Sequence, residues 1–139
     1  TFFWGDWHRE ETLGVERAIR ISPTRSATER GIRYTLHNDP PVVPPDMIRT
    51  LWSATTRRTR SGEVLGREQR ASTHEALAGI TLDAARQYGE EASKGSISAG
   101  KQADFVIVDQ DPLAMDPENL LQLQVLETIS RGKTVFLAP

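Results

Sequence analysis

Hydrophobic positions along this chain change period once. Up to about residue 88 they recur at helical spacing, broken by one alternating stretch; after Gly95 they alternate. Leu13, Val15, Ala18, Ile19 and Ile21 predict a short amphipathic helix over Thr12–Ile21, stopped by Ser22-Pro23 because the residue before proline is pushed out of the helical region. Ser26–Arg30 reads as another helical turn, with Gly31 in the capping position. Ile32, Tyr34 and Leu36 alternate with Arg33, Thr35 and His37, which predicts a half-buried strand over residues 32–37. Pro40, Pro41, Pro44 and Pro45 then bar both pairing and helix until Asp46, a candidate cap for a helix Met47–Arg57 whose Met47, Ile48, Leu51, Trp52 and Thr55 share one face.

Arg57–Arg70 is basic and punctuated by glycine, and reads as a long loop. Ser72 and Glu75 form a capping-box signature for a helix Thr73–Ile80. A second short helix, Leu82–Tyr88, is expected to use Thr81 as its cap and Gly89 as its stop. Further on, Ser96–Ser98 reads as a short strand, Ala99–Lys101 as a turn and Ala103–Asp109 as a buried strand. Val125–Ser130 and Lys133–Leu137 make a hairpin around Arg131-Gly132. The first eight residues hold Phe2, Phe3, Trp4 and Trp7, with Gly5-Asp6 read as a turn beside a strand end.

The 139 residues are the length of one ordinary domain, and 37% hydrophobic with 26% charged residues fits a globular chain with a lean core. A net charge of −2 offers no electrostatic reason to expect nucleic acid or an anionic membrane as partner. Cysteine is absent, which removes disulfides and thiolate metal ligands. No apolar run approaches the roughly 20 residues that span a bilayer. The opening Thr1, running straight into aromatic residues, reads as the interior of a longer protein.

Three histidines are present, His8, His37 and His74, with neither an H-x-H nor an H-E-x-x-H pattern, so no self-contained metal-site spacing exists. His74 opens a capped helix and reads as a surface residue; His8 reads as the polar tip of a packed N-terminal segment. His37 and Asp39 lie two residues apart at the carboxyl end of the predicted strand and so face the same way. Asn-Asp-Pro is also a common turn initiator, and the residues alone leave a plain turn and a catalytic strand end both open. Arg57, Arg58, Arg60, Arg67 and Arg70 read as a solvated loop, with an anion site as the alternative.

Three stretches change this balance. Gly89–Phe136, "GEEASKGSISAGKQADFVIVDQDPLAMDPENLLQLQVLETISRGKTVF", resembles the C-terminal segment of metal-dependent amidohydrolases, with Gly95, Gly100, Lys101, Ala103, Asp104, Thr128, Gly132 and Val135 in register. Upstream, "WGDWHREETLGVERA" and "HNDPPVVPPDMIRTLWSATTRRTRSGEVLG" are similar to amidohydrolase family 3, the group containing N-substituted formamide deformylases.

The resemblance implies an α/β fold: the C-terminal part of a (β/α)8 barrel over residues 1–94, with its last strand near 32–37, then the C-terminal strands of a small β-sandwich over residues 95–139. It implies that Asp39, at the tip of the last barrel strand, contacts a divalent metal such as zinc and handles the proton of the attacking water. Trp4, Asp6 and His8 would stand near the substrate mouth, with His37 a neighbour of the site; the family's ligand histidines belong to earlier strands. The implied substrate is a small amide, cleaved at a non-peptide carbon–nitrogen bond in the cytoplasm. One ligand cannot hold zinc, so the chain alone is expected to bind none and to be inactive without the rest of the enzyme. The competing reading is a non-catalytic assembly or interaction module, whose open strand edges would favour homo-oligomers or association with a missing N-terminal part.

Overall fold

Residues 1–139 are described by a computed structural model. Its helices are α1 (Gly5–Trp7), α2 (Gly14–Ala18), α3 (Thr24–Glu29), α4 (Met47–Thr56), α5 (Thr73–Ile80) and α6 (Leu82–Gln87). Strands β1 (Phe105–Val108), β2 (Val125–Ser130) and β3 (Lys133–Leu137) follow, in a three-stranded antiparallel sheet of order β1-β2-β3. No helix is long and apolar enough to cross a membrane.

Helix α4 is the centre of the packed region. Asp46 caps it as expected, its Oδ1 accepting from the Arg49 N–H at 2.9 Å. Leu51 and Trp52 from its buried face join Ala71, Ala76 from α5 and Leu120, with Phe2, Leu36, Ala54, Leu77 and Met115 packed around them. Leu120 comes from a 3₁₀ turn, Pro117–Gln122, in the otherwise β-rich half, so the C-terminal half contributes to the helical core. Glu118 of the same turn pairs with Arg58 at 2.6 Å and Arg70 at 3.7 Å. The hydroxyls of Thr55 and Thr56, buried on α4, donate back to the carbonyls of Leu51 and Trp52 and so are satisfied within the helix.

The C-terminal end of α4 is closed by Arg57 rather than by glycine. Arg57 adopts a left-handed conformation (φ 55°), which carries a steric cost for a residue with a Cβ. Its side chain is almost fully buried and gives its donors to main-chain carbonyls: Nε to Leu65 (2.6 Å), Nη1 to Ser22 (2.9 Å), Nη2 to Ile21 (2.7 Å) and to Ile19 (3.4 Å). Burial lowers its pKa, with Glu68 acting in the opposite direction, yet a guanidinium stays charged at any working pH. The basic run is thus only partly a solvated loop, with Arg60 and Arg67 exposed. Arg57 is a buried brace, Arg58 and Arg70 are paired with Glu118, and Arg60 lies 5.4 Å over the Phe3 ring. Gly66 lets the 57–70 segment reach the same carbonyls, since a Cβ there would sit 2.0 Å from the Ile19 oxygen.

The capping box of α5 forms as expected, with Ser72 and Glu75 each bonding the other's backbone N–H. Elsewhere the local expectations yield to context. Gly5 and Asp6 form α1 instead of a turn, and the chain continues through a π-helical turn, His8–Thr12, so the expected helix Thr12–Ile21 shortens to α2, which begins at Gly14. Thr81 does not cap α6; its hydroxyl donates to the Leu77 carbonyl.

The alternating stretch 32–37 forms no strand ladder, because no other strand lies beside it. The Leu36 N–H finds the Gly79 carbonyl at 3.1 Å instead. Ser96–Ser98 is likewise unpaired, with Ser96 held by Lys101 at 2.7 Å. Gly95 just before it packs so closely on α6 that a Cβ would meet Ala85 at 2.7 Å. The strand expected to be buried, β1, leaves Val106 and Ile107 exposed; as neighbours in a strand they point to opposite faces, so neither face of the sheet is fully covered here.

The hairpin itself is as read. Ser130 pairs with Lys133, and Arg131 and Gly132 both take positive φ, as a tight two-residue turn requires. Asp104 accepts from the Arg131 N–H at 2.8 Å, a bond that holds its carboxyl below the usual range and ties the approach to β1 to the turn.

Two consequences can be measured. Arg57→Met would leave several buried carbonyls without donors and should cost about 3 kcal/mol or more in urea denaturation. An unchanged midpoint would mean that those carbonyls find other donors. Burial acts to raise the Glu75 carboxyl, but the Ser72 backbone and hydroxyl donors and Arg25 outweigh it and hold the pKa below its ordinary value of 4.5. The depressed folded-state pKa places this contribution above pH 4.5, fully present at neutrality and lost as pH falls through the folded value. Glu75→Gln should therefore flatten that part of the acid-side loss in a stability-versus-pH series.

Candidate functional site

Behind the unpaired stretch 32–37 lies a cavity of about 260 Å³. Its wall is formed by Phe2–Trp4, by residues 36–39 with Val42 and Val43, and by the Arg49–Ser53 side of α4. Of the residues singled out in the sequence, Trp4, His37 and Asp39 all border it.

Asp39 has φ 55°, a left-handed conformation that aspartate tolerates better than most residues. Its carbonyl accepts from Val42 at 2.9 Å, closing the turn through Pro40 and Pro41. The Asp39 carboxylate is exposed and has no hydrogen-bond or ion-pair partner in the chain; the His37 ring is also exposed and unpaired.

What fixes this turn is Asn38. The Thr50 hydroxyl of α4 contacts Asn38 Oδ1 at 2.7 Å and the Asp46 carbonyl at 2.9 Å, sharing one proton between two acceptors. Asn38 Nδ2 is shielded from solvent with no partner of its own. The residue read as part of a turn initiator is thus a clamp, and it ties the turn that carries Asp39 to α4.

Asp6 and His8 are not brought to this cavity. The Asp6 carboxylate accepts from the Ser61 N–H at 3.0 Å and the Ser61 hydroxyl at 2.7 Å, docking α1 onto the 57–70 segment. Burial would raise its pKa, but these bonds, with Thr59 and Arg9 near, hold it low. His8 Nδ1 contacts the Thr12 hydroxyl at 3.2 Å, and its ring lies 5.3 Å from that of Trp7.

Two cavity residues had no separate signal in the sequence. Arg49 pairs with Asp46 at 3.3 Å and lies 5.1 Å over the Phe2 ring, and Arg57 reaches the cavity from its buried cradle.

Nowhere in the chain do three or more His, Cys, Asp or Glu side chains come together in a way that could hold a metal ion. Beside Asp39 the further charged groups are Arg49 and Arg57, which repel a cation. A catalytic zinc site needs at least three protein ligands, and Asp39 with His37 could offer two at most, so these residues do not by themselves fit a zinc site.

The profile described as the amidohydrolase family matches residues 1–136. The chain therefore belongs to the amidohydrolase family. It is 31% identical to an N-substituted formamide deformylase of Arthrobacter pascens over 94% of this chain and 24% of that protein. It is 27% identical to the amidohydrolase YtcJ of Bacillus subtilis strain 168 over 91% of this chain and 24% of that one. Among solved structures, an amidohydrolase from Thermotoga maritima matches 90% of this chain and 36% of its own, at 20% identity and a TM-score of 0.44. The chain spans about a quarter of the length of the curated relatives it matches.

The geometry separates the two roles of the turn. Because the Asp39 carboxylate bonds to nothing in the chain, Asp39→Asn should change stability by no more than about 0.5 kcal/mol. Thr50→Val, which strips the donor from Asn38, should cost about 1 to 2 kcal/mol. Chemical denaturation of both variants checks this, and a large loss in Asp39→Asn would reveal a structural role for the carboxylate.

Proposed function

We propose that this chain is the C-terminal part of a metal-dependent hydrolase that cleaves the carbon–nitrogen bond of a small amide, formamide-like, with Asp39 as its proton-handling carboxylate. Residues 1–94 would close the barrel of that enzyme, and residues 95–139 would be the C-terminal strands of its small β-sandwich. The observation that carries this reading is the free Asp39 carboxylate beside the cavity, on a turn clamped through Asn38 to α4.

A carboxylate held this way can take a proton from the water that attacks the amide carbonyl. It can then return that proton to the departing nitrogen, acting as base and then as acid. Rigid support matters here, because a proton acceptor that drifts by an ångström loses much of its effect. His37 and Trp4 would line the substrate side of the same cavity. Zinc or another divalent ion, which the family relationship suggests, would supply Lewis-acid activation of the carbonyl and water when bound. The ligands beyond Asp39 would have to come from sequence outside these 139 residues.

A second feature favours assembly with such a remainder. An apolar groove of about 1150 Å³ runs between α4–α6 and the sheet, bordered by Met47, Leu77, Tyr88, Phe105, Val106 and Ile129. Exposed apolar surface of this kind is a place where more chain packs.

In the intact protein that carries this chain, Asp39→Asn should lower kcat for amide hydrolysis by roughly 10²- to 10⁴-fold, with the unfolding midpoint unchanged. The 139-residue chain alone should neither retain stoichiometric zinc nor hydrolyse a formamide. Undiminished turnover by the Asn variant would remove the proton-handling role of Asp39, and turnover by the isolated chain would overturn the ligand count.

A further inference from the structure

We infer that the excursion 109–124 between β1 and β2 is a strap that seats α4 and so sets where the Asp39 turn stands, with Leu120 as its positioning residue. The inference goes beyond the hydrolase reading in what it assigns, and its kinetic consequence rests on that reading. The excursion is closed at its base. The Asp109 N–H donates to the Gln124 carbonyl at 3.1 Å, and the Gln124 N–H donates to Asp109 Oδ1 at 2.8 Å. Further in, Asp111 Oδ1 accepts from the Leu113 N–H at 2.8 Å and Asp116 Oδ1 from the Glu118 N–H at 2.9 Å. A loop whose ends meet and whose turns are satisfied internally behaves as one compact unit.

Its tip reaches α4 on the side away from the candidate site. Leu120 is fully buried against Leu51, Trp52, Ala71 and Ala76, and Met115 of the same excursion packs beside them. Glu118 bonds Arg58 at 2.6 Å, and its second partner, Arg70, donates to the Thr56 carbonyl at the end of α4 at 2.9 Å. The strands themselves border the open groove, so the turn Pro117–Gln122 makes the principal contact between the β-rich half and the helices. Side chains on a helix rotate by about 100° per residue, so Thr50 and Trp52 leave α4 in nearly opposite directions. The helix is therefore held between the Asn38 turn on one side and the strap on the other.

The clamp on that turn has little to spare. The Thr50 hydroxyl has a second acceptor within α4 itself, the Asp46 carbonyl at 2.9 Å, so a helix that shifts keeps that bond and releases Asn38. Asn38 has no bond from its amide nitrogen to hold the turn instead. An O–H···O bond is lost by about 3.6 Å, so a helix shift of roughly an ångström breaks this one, now 2.7 Å long. Emptying the space behind Leu51 and Trp52 gives α4 room for such a shift, because neighbours relax partway into the space that a deleted core side chain leaves. Asp39 follows Asn38 directly, so its carboxylate moves with the released turn.

The test is a double-mutant cycle in the intact protein that carries this chain, with N-ethylformamide as substrate. Leu120→Ala should lower kcat roughly tenfold or more with KM little changed, and Leu120→Met, which conserves volume, should keep most of the rate. In a Thr50→Val background the link to Asn38 is already cut. There Leu120→Ala should lower kcat by less than about threefold further, while still lowering the unfolding midpoint. If Leu120→Ala does not fold, Leu120→Val enters the same cycle. Equal rate factors in the two backgrounds, or full kcat in a folded Leu120→Ala protein, reduce Leu120 to core filling and overturn the inference. Exchange of the Val42 N–H, which donates to the Asp39 carbonyl, reads the turn without turnover, with the Leu65 N–H as a gauge of general loosening. Val42 should exchange several-fold faster in Leu120→Ala while Leu65 holds. That result in a protein that hydrolyses no amide would refute the hydrolase reading and leave the strap standing. Val42 exchange that is unmoved, or that moves only in step with Leu65, overturns the strap.

Discussion

The fold depends on one buried cation. Arg57 sits where α4 must stop, and its guanidinium gathers the carbonyls of Ile19, Ile21, Ser22 and Leu65 into one cluster. Removing a guanidinium from water is costly, and here no carboxylate repays it directly; several short charge-assisted bonds to the main chain do. Those bonds join the end of α2, the end of α4 and the 57–70 segment. With that junction in place, the left-handed conformation at residue 57 and the close approach at Gly66 become tolerable, because the surrounding contacts over-determine them.

The same helix that Arg57 terminates also carries the candidate site. Near its start, Asp46 caps the main chain and Thr50 grips Asn38; on its other side Leu51 and Trp52 anchor the core. The exposed carboxylate of Asp39 is therefore one residue from a side chain bonded to the most buried helix. This combination of a free reactive group and fixed support is what a proton-transfer site needs, and it arises here without any sheet behind it. The chain belongs to the amidohydrolase family and spans about a quarter of the length of the curated relatives it matches.

Legibility differed sharply between elements. The Asp46 cap, the Ser72–Glu75 box and the Arg131-Gly132 hairpin were all readable, because each is satisfied by residues within three or four positions of one another. The stretch 32–37 has a strand's alternation but no ladder, since alternation records which side chains are buried and not whether a neighbour exists to pair with. Within the arginine run, Arg57 misled for a related reason. Five basic residues in a glycine-rich segment look solvated, and only three-dimensional proximity shows that Arg57 meets carbonyls some 35 to 38 residues away in sequence. Of the suspected site residues, Trp4, His37 and Asp39 share a cavity, while Asp6 and His8 make local contacts around α1.

The sequence by itself determined the chain's local punctuation and its family: where helices begin, where the hairpin turns, and that an aspartate ends an alternating run before two prolines. These follow from steric and hydrogen-bonding rules that act over a few residues. Tertiary structure alone decided that Asn38 is a clamp, that Arg57 is a brace and that Asp6 is a docking residue. Whether a polar side chain is free or spent depends on which distant backbone and side-chain groups come within hydrogen-bond reach, and no short-range pattern encodes that.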